Sequence, residues 1–246
     1  MPETIFSVQL FATCLVDAIR PAAGLATLRL LERLGVKVIV PSGQTCCGQP
    51  AFNSGCLADA RAMARYTIDL LEKSPVPIVV PSGSCGDMIV HRYRELLADD
   101  PAYASKAERV AARTYELSQY LSDVLKVQDV GAQCRRTITY HPSCHLLRGL
   151  GVRSAPSQLL DSIADARCVR LPGAEDCCGF GGTFAVKMGE LSSAMLNRKL
   201  DAIVESGADT VVACDVGCLM HIEGGLKRRG SNVAVRHLAE VLVESE

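Results

Sequence analysis

Eight of the twelve cysteines in this 246-residue chain form two sets with the same internal order. Cys14, the adjacent pair Cys46 and Cys47, and Cys85 make the first set; Cys144, Cys177, Cys178 and Cys218 make the second. Corresponding cysteines lie 130, 131, 131 and 133 residues apart, a near-constant offset that marks an internal duplication. Four thiolates per half is the usual ligand count of a [4Fe–4S] cluster, and soft sulfur donors favour iron–sulfur groups or zinc over hard cations. The expectation is one iron–sulfur cluster per repeat, of [4Fe–4S] type, with all eight cysteines as iron ligands.

Other cysteine chemistry fits less well. Structural zinc sites pair their ligands two to four residues apart, twice, and a bacterial ferredoxin strings several cysteines two apart; neither pattern is present. Cys214 and Cys218 are spaced like zinc ligands, but in one half only. A zinc or thiol–disulfide scaffold with an interaction role stays open, weakened by the adjacency of Cys46 and Cys47. Neighbouring cysteines on an extended or turning backbone point apart, so each pair would reach different irons or different sides of a site. Gly48 follows the first pair, and Gly179, Gly181 and Gly182 follow the second. Their N–H groups could approach cluster sulfides closely, or simply form a tight turn between strand and helix.

The remaining candidates are weighed against plainer roles. Cys56, Cys134 and Cys168 have no counterpart in the other half and read as buried or incidental thiols, as does Cys214. His141 and His145 flank Cys144 and suit a proton relay, a donor to the cluster, or a structural role at a helix start. His221 follows Cys218 by three residues and could share its helical face; His91 and His237 read as structural or exposed. Met188, Met195 and Met220 read as core. Lys187, Arg148 and Arg153 could form a basic rim at the second site, or be solvated.

Positioning these residues requires elements at each anchor. Short apolar, partly β-branched runs precede the anchors: residues 6–11, 36–40 and 78–80, then 137–140, 168–171 and 210–213. Helical spacing occupies 25–34, 57–71 and 191–204, the last closed by Gly207. Strands alternating with helices predict an α/β fold of two pseudo-symmetric repeats, each a small mainly parallel sheet flanked by helices. The anchors then sit at strand ends, where such folds place ligands. Residues 105–124 read as one connecting helix opened by a Ser105/Glu108 capping box, with a loop at 130–133. The repeats are expected at 1–130 and 131–246.

Twenty-six basic and 27 acidic residues leave a net charge of −1, which gives no footprint for nucleic acid. Cysteine at about 5% is below the disulfide-scaffold range of roughly 8–10%. No apolar run approaches the ~18 residues of a membrane span, and the first residues lack a signal-type pattern, so a cytoplasmic chain without direct membrane insertion is expected. No Gly-x-Gly-x-x-Gly follows a first strand, which disfavours a nucleotide-dependent dehydrogenase.

The segments FATCLVDAIRP, CCGQPAFNSG, PSGSC, YHPSCH, EDCCGFGGTF, DVGCLMHI and RHLAEVL together resemble the cysteine-rich CCG-domain family over nearly the whole chain. That family includes a cluster-bearing subunit of heterodisulfide reductase and the iron–sulfur subunit of glycolate oxidase, and the similarity is strongest to its lactate-utilization members. The resemblance implies an electron-transfer subunit of a complex oxidising L-lactate to pyruvate, with partner subunits that include a ferredoxin-type iron–sulfur protein. It also implies alternatives: a cluster-based catalytic subunit of the heterodisulfide reductase type, with His141, His145 and His221 as acid–base candidates, or a glycolate or 2-hydroxy-acid oxidase subunit. The fuller family motif ends in Cys-x-x-Cys, and here the first of those positions is Ser82 or Asp215. This departure counts against a five-cysteine noncubane cluster and leaves the four-cysteine form; Cys214, one residue from the vacant position, is a possible substitute in the second half.

Overall fold

The computed structural model describes residues 6–245; the start of the chain, where the sequence shows no signal-type pattern, lies outside them. Two four-stranded sheets form, and every strand pairing in them is parallel. The first contains β1 (Ser7–Leu10), β2 (Lys37–Ile39), β3 (Ile78–Val80) and β4 (Thr114–Glu116) in the order β2-β1-β3-β4. The second repeats it with β5 (Thr137–His141), β6 (Arg167–Val169), β7 (Thr210–Ala213) and β8 (Ala234–His237) in the order β6-β5-β7-β8. Strands covered on both faces read as unbroken apolar runs, and β3 (IVV) and β7 (TVVA) are buried at every residue.

The expected helices form close to their sequence limits, at Pro21–Arg33, Leu57–Leu71 and Gly189–Glu205. Gly207, just past the last of these, takes φ 69°. The single connecting helix over 105–124 does not form. A helix at Ala104–Ala112 ends at Arg113, β4 follows, and a new helix starts at Leu117 with Glu116 as its N-cap. Helical spacing of Val110, Leu117 and Leu121 persists across the break, but pairing with β3 draws Thr114–Glu116 into the sheet. Ser105 caps nothing: Tyr103 is the N-cap residue, and Glu108 pairs with Arg94 instead.

The two repeats exchange their last helices. The turn Leu117–Gln119, which follows β4, packs on the helix Ala155–Asp161 of the second repeat, and Tyr120 and Leu121 of the next turn (Tyr120–Val124) join the same core. Leu238–Leu242, which follows β8, packs on Pro21–Arg33 of the first. One core therefore joins Leu30, Leu31, Leu117 and Leu121 with Leu159, Leu160, Leu238 and Leu242. Separate cores fill behind each cysteine set, one containing Phe11, Cys47 and Cys85 and the other Cys178, Cys218 and Leu219. This exchange turns the two sheets so that the ends of β3 and β7 meet, with the Gly83 N–H donating to the Cys214 carbonyl at 3.1 Å.

Candidate metal centre

All eight anchor cysteines line a single cavity of ≈ 340 Å³ between the repeats. The topology accounts for this. Cys14 and Cys144 lie just after β1 and β5, Cys85 and Cys218 start the helical segments after β3 and β7, and the Cys-Cys-Gly turns follow the edge strands β2 and β6. Within each set the thiols are close: Cys47 Sγ lies 3.3 Å from Cys85 Sγ, and Cys178 Sγ 3.4 Å from Cys218 Sγ. None of the twelve cysteines is disulfide-bonded.

Each Cys-Cys-Gly turn aims a backbone donor back at its own thiol. Gly48 N–H points to Cys46 Sγ at 3.5 Å and Gly179 N–H to Cys177 Sγ at 3.3 Å. Both glycines sit at φ 88°, a left-handed conformation that a side chain makes costly. A Cβ on Gly179 would also meet the Ser192 carbonyl at 2.6 Å. Thiol hydrogen bonds then divide the charge. Those from Cys14 and Cys47 hold Cys46 well below the usual thiol range, and those from Cys144 and Cys178 do the same for Cys177. Cys14 and Cys144 are raised in turn by their bonds to these thiolates, and Cys47 and Cys178 by bonds to their neighbours and by burial. Each set thus offers one thiolate ready to bind a metal and donors that lose protons as it binds.

Ser82 and Asp215, the positions where the fuller motif has cysteine, face each other across the junction. Asp215 Oδ2 accepts from Ser82 Oγ at 3.1 Å and from Ser84 N–H at 2.9 Å. Its other oxygen caps the helix Val216–Arg228, accepting from Gly217 N–H at 3.0 Å and Cys218 N–H at 3.4 Å. One buried carboxylate therefore clasps the repeats and fixes the turn that carries Cys218. Cys214 is absent from the cavity lining; it is fully buried, 3.7 Å from the Tyr140 hydroxyl.

The histidines separate in role. His145 lines the cavity, and its Nδ1 lies 2.7 Å from Asp87 Oδ2 of the other repeat, which raises the imidazole pKa. His221 sits away from the cavity lining, 3.3 Å from Ser192 Oγ. His237 is buried as the N-cap of Leu238–Leu242, with Nε2 3.1 Å from the Pro81 carbonyl, and His91 is exposed. His141 is fully buried with both ring nitrogens unpartnered, and burial pushes its pKa down to about 4. Its ligand nitrogen lies within 4.8 Å of the sulfurs of both Cys178 and Cys218.

Other expectations resolve individually. Met195 and Met220 are half-buried, but Met188 is exposed as the C-cap of a four-residue helix that has no buried residue. Lys187, Arg148 and Arg153 do not line the shared cavity. Cys134 is buried, and Cys56 and Cys168 are exposed. Sequence reading missed Asp87 and the buried Lys199, whose ammonium donates to the Gly173 and Ala174 carbonyls beside the second site. The position of Asp87 two residues after Cys85, on the same short helix, was the available signal.

The donor set, eight convergent thiols with an orphaned imidazole beside one set, fits a thiophilic metal or an iron–sulfur group. The family model for the cysteine-rich CCG domain matches twice, at residues 8–90 and 138–223. The chain therefore belongs to the cysteine-rich CCG domain family. Within it, the chain is 47% identical over 235 residues to Lactate utilization protein A of Bacillus cytotoxicus, covering 96% of this chain and 98% of that one. Identities to the proteins of the same name from Geobacillus sp. and Bacillus subtilis are 48% and 47% over the same shares of each chain. Among solved structures, a hypothetical protein from Helicobacter pylori superposes with a TM-score of 0.63 at 13% identity, over 98% of this chain. This chain spans about half (49%) of that protein, and the likeness is one of fold.

Proposed function

We propose that the two cysteine sets each hold an iron–sulfur cluster of [4Fe–4S] type, and that the chain is an electron-transfer subunit of a multi-protein system oxidising L-lactate to pyruvate. The observation that carries this reading is the convergence of both four-thiol sets on one cavity, in a chain similar along its length to Lactate utilization protein A. Cys14, Cys46, Cys47 and Cys85 would hold one group, and Cys144, Cys177, Cys178 and Cys218 the other. Bound there, each group would supply one-electron chemistry. The Gly48 and Gly179 N–H groups would donate to sulfur, stabilising the reduced form. Partner proteins, a ferredoxin-type one among them, would deliver or remove the electrons. No helix among the described residues is long and apolar enough to cross a membrane.

Anaerobically purified protein is expected to be brown and to carry roughly 8 iron per chain if both sites hold four-iron clusters. Cys178→Ser should remove about half of that iron, the share of one cluster, while Cys56→Ser should leave it unchanged. Protein that stays free of iron after anaerobic reconstitution refutes the reading.

A second reading is favoured by the cavity itself. A space of ≈ 340 Å³ facing both cysteine sets and the Asp87-paired His145 could admit a small substrate, as a cluster-based catalytic subunit would require. Single-turnover assays on the isolated iron-loaded chain separate the two: turnover of substrate without partner proteins supports catalysis here, and dependence on a partner supports electron transfer.

A further inference from the structure

The two sites differ at one buried position. Phe11 lies three residues before Cys14, and His141 lies three residues before Cys144. Both side chains are fully buried, and both stand against the matching pair of cysteines: Phe11 packs in one cluster with Cys47 and Cys85, and His141 lies against Cys178 and Cys218. The first repeat shows that a phenyl ring is sufficient to fill this space. The second places an imidazole there and leaves both of its nitrogens without a hydrogen bond. Burying an unpaired imidazole costs free energy that a phenyl ring does not incur, so the substitution needs a compensating partner.

The protein around the ring supplies little compensation. The one backbone group that acts on the ring is the Ala174 carbonyl, and that oxygen already accepts from Lys199 Nζ at 3.1 Å. What the ring does face is the sulfur of Cys178 and of Cys218, 3.4 Å apart from each other. Imidazole nitrogen and thiolate sulfur held within 4.8 Å of one another are close enough to ligate one and the same metal group. A ligating histidine commonly turns its other N–H to a backbone carbonyl, and the Ala174 carbonyl is the acceptor available.

We infer that His141 is a metal ligand of the second repeat, binding one iron through a ring nitrogen in place of one of the four thiolates assigned above, so that the chain carries one all-thiolate site and one mixed thiolate–imidazole site. The inference rests on the iron–sulfur reading above. Its consequence is directional. A neutral imidazole donates less negative charge than a thiolate, and histidine ligation raises the potential of an iron–sulfur centre. The second site is then the more oxidising of the two, and an electron shared between them resides there.

The test uses the full chain, loaded with iron anaerobically, with histidine isotopically labelled at the ring nitrogens. Pulsed EPR of the reduced protein and Mössbauer spectra of iron-enriched protein are compared for wild type, His141→Phe and His141→Cys. The phenylalanine variant copies the first repeat, and the cysteine variant keeps a ligand at the position. The expected result is a directly coordinated histidine nitrogen in the wild type, together with an iron site distinct from the all-sulfur ones. Both features should be lost in either variant, and the higher of the two reduction potentials should fall in His141→Cys. Iron-loaded wild type with no histidine nitrogen coupling, or only the weak coupling of a hydrogen-bonded nitrogen, overturns the inference and leaves the cluster reading standing. Persistence of the coupling in His141→Phe overturns it equally. Wild-type protein that holds no iron overturns both.

Discussion

Removing the Asp215 carboxylate should weaken the chain more than any other single polar change at the junction. Asp215→Ala deletes the N-cap of Val216–Arg228, typically worth ~1 kcal/mol. It also deletes a charge-assisted pair of bonds from Ser82 and Ser84, for which roughly 1.5–3 kcal/mol is usual, and leaves the half-buried Ser84 N–H without this acceptor. Together these give a loss of about 3 kcal/mol, against a total stability of about 5–15 kcal/mol. With a urea dependence near 3 kcal/mol per molar, the unfolding midpoint should fall by about 1 M. Asp215→Asn keeps one acceptor oxygen and should lose about 1 kcal/mol, in line with a single hydrogen bond. The assay is equilibrium urea unfolding of the metal-free chain, followed by circular dichroism, with Ser82→Ala and the double variant completing a thermodynamic cycle. A direct Ser82–Asp215 bond requires a coupling energy on the order of 1 kcal/mol. Asp215→Ala within about 0.5 kcal/mol of wild type, the range of an ordinary surface change, would refute the clasp.

Two further outcomes follow from single residues. Gly179→Ala must hold a left-handed φ of 88° and place its Cβ 2.6 Å from the Ser192 carbonyl, so it should cost roughly 2–4 kcal/mol. Gly48→Ala, whose nearest neighbour would be Met63 Cβ at 3.2 Å, should cost less, and equal thermal midpoints for the two variants would contradict this geometry. Glu116 is buried at the end of β4, and burial raises its pKa from 4.5 to about 7 even though it accepts from the Ser118 and Gln119 N–H groups. The folded protein keeps this proton to higher pH than the unfolded chain. The stabilisation is therefore complete below pH 4.5 and is lost as pH rises through about 7, by about 3 kcal/mol. Glu116→Gln should flatten that slope in urea titrations across this range, and an unchanged slope would exclude Glu116 as its source.

The repeat, its α/β class and the membership of the two cysteine sets are legible in the sequence. Those features are carried by local signals: the recurrence of Cys-Cys-Gly, the short β-branched runs before each anchor, and the 3.6-residue spacing of Leu57–Leu71. Local signals also mislead. Helical spacing runs unbroken from Val110 to Leu121, and only pairing with β3 makes Thr114–Glu116 a strand. β8 carries no such signal, because four residues of mixed polarity gain their strand character from pairing with β7.

Folding in three dimensions is what opens both cysteine sets on one cavity, bonds Ser82 to Asp215 across the junction, and brings Asp87 to His145. Each of these two bonds joins residues 58 or 133 positions apart in the chain. No periodicity encodes such pairs. They accompany the exchange of the helices after β4 and β8, which bury apolar surface against the opposite repeat.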